Sequence, residues 1–240
     1  SEGLAYGRSL VQPPRQTVNL REGITPEHLK IWSEPRPGEP YIIYSEAAEG
    51  VGKDYTVTTI AESRSLRVVC RFRENVLTPE AHGYKARLLA VWYNNAMVSW
   101  ERNKGEGIAA AFAGYGRVYQ HQQPQTAQQR RNGNEPSSRP GLPIDGQTRE
   151  FLLQQMYDVV KSGALNDPDA AFWDEASRFI VVERTTETGL KHYRPQAAAG
   201  AHDDIVMSNL GIVHLSKQDG AKSMRETKAR TQQPYYSVVQ

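Results

Sequence analysis

With 240 residues, 38% hydrophobic and 23% charged, the chain is long enough for one large domain or two small ones and can bury a core. A net charge of +2 and a pI near 8.6 are too mild to mark a nucleic-acid binder, so any basic surface must come from local clustering. A single cysteine, Cys70, excludes an internal disulfide and favours a reducing compartment. No apolar run nears the roughly 20 residues that span a bilayer, and no signal peptide opens the chain. The start at Ser1 rather than Met points to an excised fragment.

Residues 1–40 are polar and broken by proline (VQPPRQ, SEPRPGEP), which predicts a linker or N-terminal arm with one short helix, TPEHLKIW, from Thr25. YIIYS, from Tyr41, reads as the first strand. YTVTTIAE follows with dense β-branched residues, a turn falls at 63–65, and LRVVCRFR alternates with period two. Three antiparallel neighbours are expected. TPEAHGYKARLLAVWYNNA reads as a helix capped by Thr78, with Pro79 in its first turn and Leu88, Leu89 and Trp92 as its apolar stripe. MVSW is a short buried strand ending at Glu101, and GEGIAAAFAGY opens a second helix near Gly105.

Residues 120–141 are rich in Gln, Pro, Ser and Arg, and read as a loop or disordered excursion. TREFLLQQMYDVVKSG, from Thr148, is an amphipathic helix with Phe151, Leu152, Met156 and Val159 on one side. RFIVVE is the next strand. AHDDIVMSNLGIVHL is a last helix with Asp203 and Asp204 at its start, and residues 217–240 form a basic, flexible tail. The order predicts a mixed α/β sheet with an antiparallel hairpin edge and flanking helices, with the folded unit at 41–216.

The stretch SEAAEGVGKDY invites a phosphate-loop reading, which its chemistry rejects. Such a loop needs G-x-x-x-x-G-K-[ST]. Ala47 stands where the first glycine belongs and Asp54 where Ser or Thr would hold Mg²⁺, while Glu46 and Glu49 add charge of the wrong sign. The acids themselves are more informative. Glu46 ends one strand, Glu101 ends another, and Asp203 and Asp204 open a helix. If these ends converge, they supply the hard oxygen donors that Mg²⁺ or Mn²⁺ takes. Two such ions can drive phosphodiester cleavage. Taken singly, each acid also fits a surface or helix-dipole role.

Four blocks, YIIYSEAAEGVGKDYT, YNNAMVSWERNKGEG, DGQTREFLLQQM and AHDDIVMSNLGI, occur in an order that resembles the nuclease domain of tailed-phage large terminase subunits. The resemblance runs from about Tyr41 to Leu215. It implies a ribonuclease H-like fold and a metal-dependent endonuclease that cuts concatemeric double-stranded DNA during packaging. It implies a two-metal site of Mg²⁺ or Mn²⁺ held by Glu46, Glu101, Asp203 and Asp204, supported from behind by Glu49, Asp54 and His202. DNA contacts would fall to Lys53, Arg102, Lys104, Arg130 and Arg131. The implied partners are double-stranded DNA, an ATPase domain of the same full-length protein, the portal and the small terminase subunit, in the host cytoplasm and without a membrane. Glu46 departs from the family pattern, where an aspartate is usual. A resolvase- or transposase-like nuclease and a non-catalytic DNA-binding packaging module are the alternatives.

Overall fold

The computed structural model describes residues 2–15, 28–48, 52, 54–185, 191–218 and 221. In chain order the elements are α1 (Glu2–Ser9), β1 (Leu29–Ile31), β2 (Tyr41–Glu46), β3 (Thr56–Glu62), β4 (Val68–Glu74), α2 (Pro79–Trp92), β5 (Met97–Trp100) and α3 (Glu106–Ala111). There follow β6 (Gln120–Gln122), α4 (Ala127–Arg131), β7 (Ser138–Pro140), α5 (Gly146–Lys161), α6 (Ala170–Ser177), β8 (Phe179–Thr185), β9 (Lys191–Ala197) and α7 (Asp204–Ser216). No helix among the described residues is long and apolar enough to cross a membrane.

Five strands form one sheet in the order β1-β4-β3-β2-β5. Neighbours among β1, β4, β3 and β2 are antiparallel, and β5 runs parallel to β2. The expected mixed sheet with an antiparallel side and flanking helices is therefore present. Strand alternation divides the core. Tyr41 and Ile43 of β2 face a cluster with α2 and α3, whereas Ile42 and Tyr44 face one built from α5, α6 and α7. Cys70 lies buried in β4, where burial pushes its thiol up to about 12 and leaves it a core residue rather than a nucleophile.

Several elements differ from the sequence reading. Residues 29–31 pair with β4 as an edge strand, not as part of a helix; Thr25 itself lies outside the described residues. The region expected as a linker also supplies α1, whose Gly7 lies so close to Trp173 that a Cβ would overlap the indole. In α2 the buried face is His82, Gly83, Ala86, Leu89 and Ala90, while Leu88 is 58% exposed. In α5, Leu152 and Met156 are buried but Phe151 is 57% exposed. Residues 120–141 form the β6–β7 hairpin around the short α4. RFIVVE does not join the central sheet; β8 pairs with β9 as a separate two-stranded ribbon. Most of the expected tail lies outside the described residues.

A buried arginine ties the α7 side to the sheet. Arg71 of β4 donates from Nε to Thr59 Oγ1 at 3.3 Å. Its Nη1 reaches Asp167 and Asp169 at 3.4 and 2.8 Å. Its Nη2 reaches Asp167 and Asn209 of α7 at 2.7 and 3.0 Å. Asn209 Nδ2 in turn donates to Asp167 Oδ2 at 2.7 Å. Every guanidinium N–H thus has an acceptor, which a buried charge requires. α7 also lies close on the strands: Ser208 Oγ bonds Tyr44 O and Thr59 Oγ1 at 3.2 and 2.8 Å. Gly211 leaves room for the Tyr44 ring that any Cβ would enter.

Removing one member of this buried network leaves its partners as uncompensated charges. Arg71→Leu is expected to lower the unfolding free energy by about 3–5 kcal/mol, read as a fall in the urea midpoint. Burial alone would raise the Asp169 carboxyl, but Arg71 and Lys30 outweigh it and bring it to about 2 from an ordinary 3.8. A depressed carboxylate stabilises the fold above its ordinary value and loses that contribution as pH falls towards 2. In an acid titration followed by circular dichroism, Asp169→Asn should therefore show a shallower loss of stability between about pH 4 and pH 2 than the wild type.

Candidate functional site

Two parallel strands bring the first two acids together. Ser45 of β2 is in register with Trp100 of β5. The Glu101 N–H donates to Ser45 O at 3.0 Å, so Glu46 and Glu101 leave the same end of adjacent strands. Leu142 extends this corner, accepting from Arg102 N and donating to Trp100 O, both at 2.9 Å. The Glu46 and Glu101 carboxyls lie close enough to perturb one another. Each has a buried Oε2 with no hydrogen-bond partner among the described residues.

The third acid arrives on α7. Ser208 marks where that helix crosses Tyr44. Asp204 is one turn earlier, about 6 Å along the axis, on the same side. Glu46 is two residues beyond Tyr44 on the same strand face, about 7 Å away. The two displacements match, so Asp204 meets the end of β2. Its Oδ2 accepts from Tyr55 N at 3.4 Å and lies 3.6 Å from His202 Nδ1. The amides of Ile205 and Val206 are capped from α6 by Glu175 Oε2, at 2.8 and 3.4 Å. Glu175 also pairs with Arg73 at 3.2 Å, and the Arg73 guanidinium stacks over the Tyr55 ring at 3.9 Å. A carboxylate from a neighbouring helix thus fixes the start of α7.

Asp203 behaves differently. It occupies the N-cap position of α7 but makes no cap bond with its side chain. Its Oδ2 accepts from Arg149 Nη2 of α5 at 3.1 Å.

These groups line one cleft of about 820 Å³ together with Asp54, Asn103, Lys104, Asp145, Glu150 and His202. The field within it is strongly negative. Burial, then the Glu101 charge, then Asp204 hold the Glu46 carboxyl well above its ordinary range, and Lys104 pulls the other way. Asp204 is also raised, chiefly by burial and then by Asp203, against the opposing pull of the Tyr55 amide. The Tyr44 hydroxyl, buried and without a partner among the described residues, is pushed up by burial and by Glu46 and Glu101. Buried like charges with orphaned oxygens are what a divalent cation relieves, and carboxylate oxygens suit Mg²⁺ or Mn²⁺. Among the described residues, however, no three His, Cys, Asp or Glu side chains are grouped to hold an ion as they stand. Asp203 is turned towards Arg149 and Asp204 towards Tyr55 and His202.

The remaining sequence-derived residues divide. Asp54, His202 and Lys104 line the cleft. Arg102 lies instead in the turn after β5 and lines a separate depression with Glu106, Arg139 and Pro140. Arg130 and Arg131 are exposed on α4, outside the cleft lining. Glu49 and Lys53 lie outside the described residues. Gly52 takes a φ of +94°, as its turn between β2 and β3 requires, and a strand rather than a helix follows, which no phosphate loop does. Sequence reasoning passed over Arg149, Asp145 and Asn103. An arginine on the polar face of the helix between the acid blocks was the visible signal for the first.

No protein-family model matches the chain, and no curated protein matches it. Solved structures do. The large terminase nuclease of thermophilic phage G20c matches with a TM-score of 0.59 and 21% identity, over 87% of this chain and 93% of that one. The same nuclease with bound magnesium gives 0.61 and 20%, over 88% and 94%. The Thermus phage P74-26 large terminase nuclease domain gives 0.60 and 21%, over 88% and 93%. The chain has the fold of the phage large terminase nuclease domains. This ribonuclease H-like fold, implied by the ordered sequence blocks, is now supported by a match spanning nearly the whole chain.

The raised Glu46 carboxyl makes a signed prediction. A carboxyl raised in the fold destabilises it once pH exceeds the ordinary value, here 4.5, because folding then requires uptake of a proton or burial of a charge. Glu46→Gln should therefore raise Tm at pH 7 in chelator, and the gain should vanish near pH 4, where Glu46 is protonated in both states. Differential scanning calorimetry at the two pH values checks this.

Proposed function

We propose that this domain is a divalent-metal-dependent DNA endonuclease, the nuclease part of a terminase-type packaging enzyme. One observation carries the reading: Glu46 and Glu101 end adjacent parallel strands, each with a buried carboxylate oxygen that has no partner among the described residues, and Asp204 faces them across the same cleft. The G20c nuclease, which shares the fold, is known with bound magnesium, and this supports a divalent ion here.

Glu46, Glu101 and Asp204 would hold Mg²⁺ or Mn²⁺, and Asp54 and His202 border the same cleft. A bound divalent ion supplies a nucleophilic water at neutral pH and offsets charge developing at phosphorus. The chain's own groups do the rest. Tyr55 N–H and His202 orient Asp204, and Glu175 fixes the helix that carries it. Burial keeps the Glu46 and Glu101 oxygens clear of competing partners. Lys104 moderates the negative field and borders the cleft where phosphates would lie.

The substrate is double-stranded DNA, gripped through its phosphates. Lys104 at the cleft, with Arg130 and Arg131 on the exposed hairpin, binds backbone and reads no base sequence, which suits cleavage with little sequence preference. In this reading the partners are an ATPase domain of the full-length protein, the portal and the small terminase subunit, acting at the procapsid in the host cytoplasm.

Supercoiled plasmid with Mn²⁺ or Mg²⁺ tests the reading. Wild type should nick and linearise it, and chelator should stop it. Glu101→Ala should slow cleavage by about 100-fold or more, the scale of losing a few kcal/mol of transition-state stabilisation. Equal background nicking by wild type and Glu101→Ala would sink the proposal, and a strong preference for four-way junctions over linear duplex would favour a resolvase-like enzyme instead.

A further inference from the structure

Arg149 stands in the acid cleft, and among the described residues the acid it bonds there is Asp203, not Glu46, Glu101 or Asp204. Asp145, Arg149 and Leu153 recur every four residues along α5, so one face of that helix forms a wall of the cleft. Lys104, on the opposite, strand-end side, is the cation that pulls the Glu46 carboxyl down. Arg149 instead makes a single-point contact with Asp203, from Nη2 at 3.1 Å. Its Nε is buried and has no partner among the described residues. A guanidinium is a planar fork that matches two oxygens at once, so a one-point contact leaves much of its donor set unspent.

The partner side is equally incomplete. Asp203 holds the N-cap position of α7 yet leaves the helix amides to Glu175, which reaches Ile205 and Val206 from α6. The Asp203 side chain therefore contributes nothing to capping, although its backbone carbonyl accepts from Met207 N, and the carboxylate can release Arg149 without losing a cap bond of α7. Both side chains are partly exposed, at 18% and 31%, so the contact lies where a substrate can reach it. The cleft consequently has two chemically distinct walls: unpartnered carboxylate oxygens at the ends of β2 and β5, and an under-used guanidinium on α5.

We propose that Arg149 is a phosphate-holding catalytic residue: when duplex DNA enters the cleft, its guanidinium leaves Asp203 and takes the non-bridging oxygens of the phosphate to be cut. This rests on the endonuclease reading above. Two parallel N–H donors then hold the phosphate in place and face the charge that builds on those oxygens as water attacks phosphorus and the ester oxygen departs. Asp203 is the resting partner of Arg149, and Asp204 is the acid that works with Glu46 and Glu101. Lysine, a point charge with no fork, is a poor substitute at such a position.

Single-turnover cleavage of a linear duplex with Mn²⁺, using the full chain, tests the assignment. Arg149→Ala should slow the cleavage step by about 100- to 1000-fold, the usual cost of one donor to a developing oxyanion. Mn²⁺ affinity by calorimetry should stay within about twofold of wild type, because Arg149 is not a ligand. Arg149→Lys, which keeps the charge and guards against a folding defect, should still be slowed at least about tenfold with an unchanged Tm. In an Asp203→Asn background, Arg149→Ala should cost a further loss of similar size. Arg149 variants that cleave like wild type overturn the proposal. So does an Arg149→Ala effect that disappears in the Asp203→Asn background, which would make Arg149 a positioning group for Asp203, or an Asp203→Asn chain that is itself inactive. Glu101→Ala is run alongside: its retention of full activity would fail the endonuclease reading itself, whereas its inactivity beside a fully active Arg149→Ala fails only this proposal.

Discussion

Arg71 is buried in the middle of the sheet with a full positive charge, and the α7 side of the molecule is arranged to satisfy it. Asp167 and Asp169 come from the segment that leads into α6, Thr59 from the next strand and Asn209 from α7. Such a network costs desolvation that its attractions must offset, which they do only when every donor has an acceptor. Satisfying it leaves α7 no freedom to slide or rotate on the strands. Asn209 is one residue from Ser208, which is itself bonded to Tyr44 and Thr59. With that turn fixed, Asp204 one turn earlier has a single place to be, beside Glu46. The acid cleft is thus downstream of a charge that never touches it.

The opposite face of β2 is fixed by a second buried chain. Glu74 of β4 accepts from Val76 N and Leu77 N and bonds His82 Nδ1 at 2.7 Å. His82 Nε2 is 2.8 Å from Thr58 Oγ1, which is 2.7 Å from Ser45 Oγ. Burial lowers the His82 imidazole and favours its neutral form, with Glu74 opposing. A neutral ring can then donate from Nδ1 to Glu74 and accept at Nε2 from Thr58. Ser45 precedes Glu46 and points the other way, so the end of β2 is pinned on both faces. Rigidity there keeps the Glu46 and Glu101 backbones side by side, so their carboxylates leave the sheet close together.

Which parts of this were legible in the sequence follows from the range of the forces involved. β2, β3 and β4 declared themselves through β-branched density and alternation, and Thr78 and Pro79 announced α2 through local capping chemistry. Helix faces were less legible where two apolar patches competed. Leu88 and Phe151 look like core residues in a periodic pattern, yet the buried faces fall on small residues, Ala86 and Ala90, and on Leu152 and Met156. Close packing selects faces by fit as well as by hydrophobicity. The β6–β7 hairpin was hidden because three-residue strands of Gln, His, Ser, Arg and Pro carry no apolar alternation, and its place is set by bridges from Val118 and Leu142 to the β5 edge. RFIVVE had the composition of a central strand, but strand composition does not choose a partner, and β9 stood next in sequence to pair with it.

By itself, the sequence determined the strand-rich first half, the mixed α/β class and the positions of Glu46, Glu101, Asp203 and Asp204 at the ends of elements, because propensity, capping and periodicity act over a few residues. Tertiary structure alone decided which acids share a cleft and how. It set Glu46 against Glu101 through the parallel register of β2 with β5. It brought in Asp204 through the packing of α7, turned Asp203 to Arg149, and sent Arg102 away from the site. Those outcomes depend on contacts between residues some 50 to 160 positions apart, such as Arg149 with Asp203 and Tyr44 with Ser208. No local pattern encodes such contacts; they emerge only when burial and the satisfaction of charge are settled for the whole fold at once.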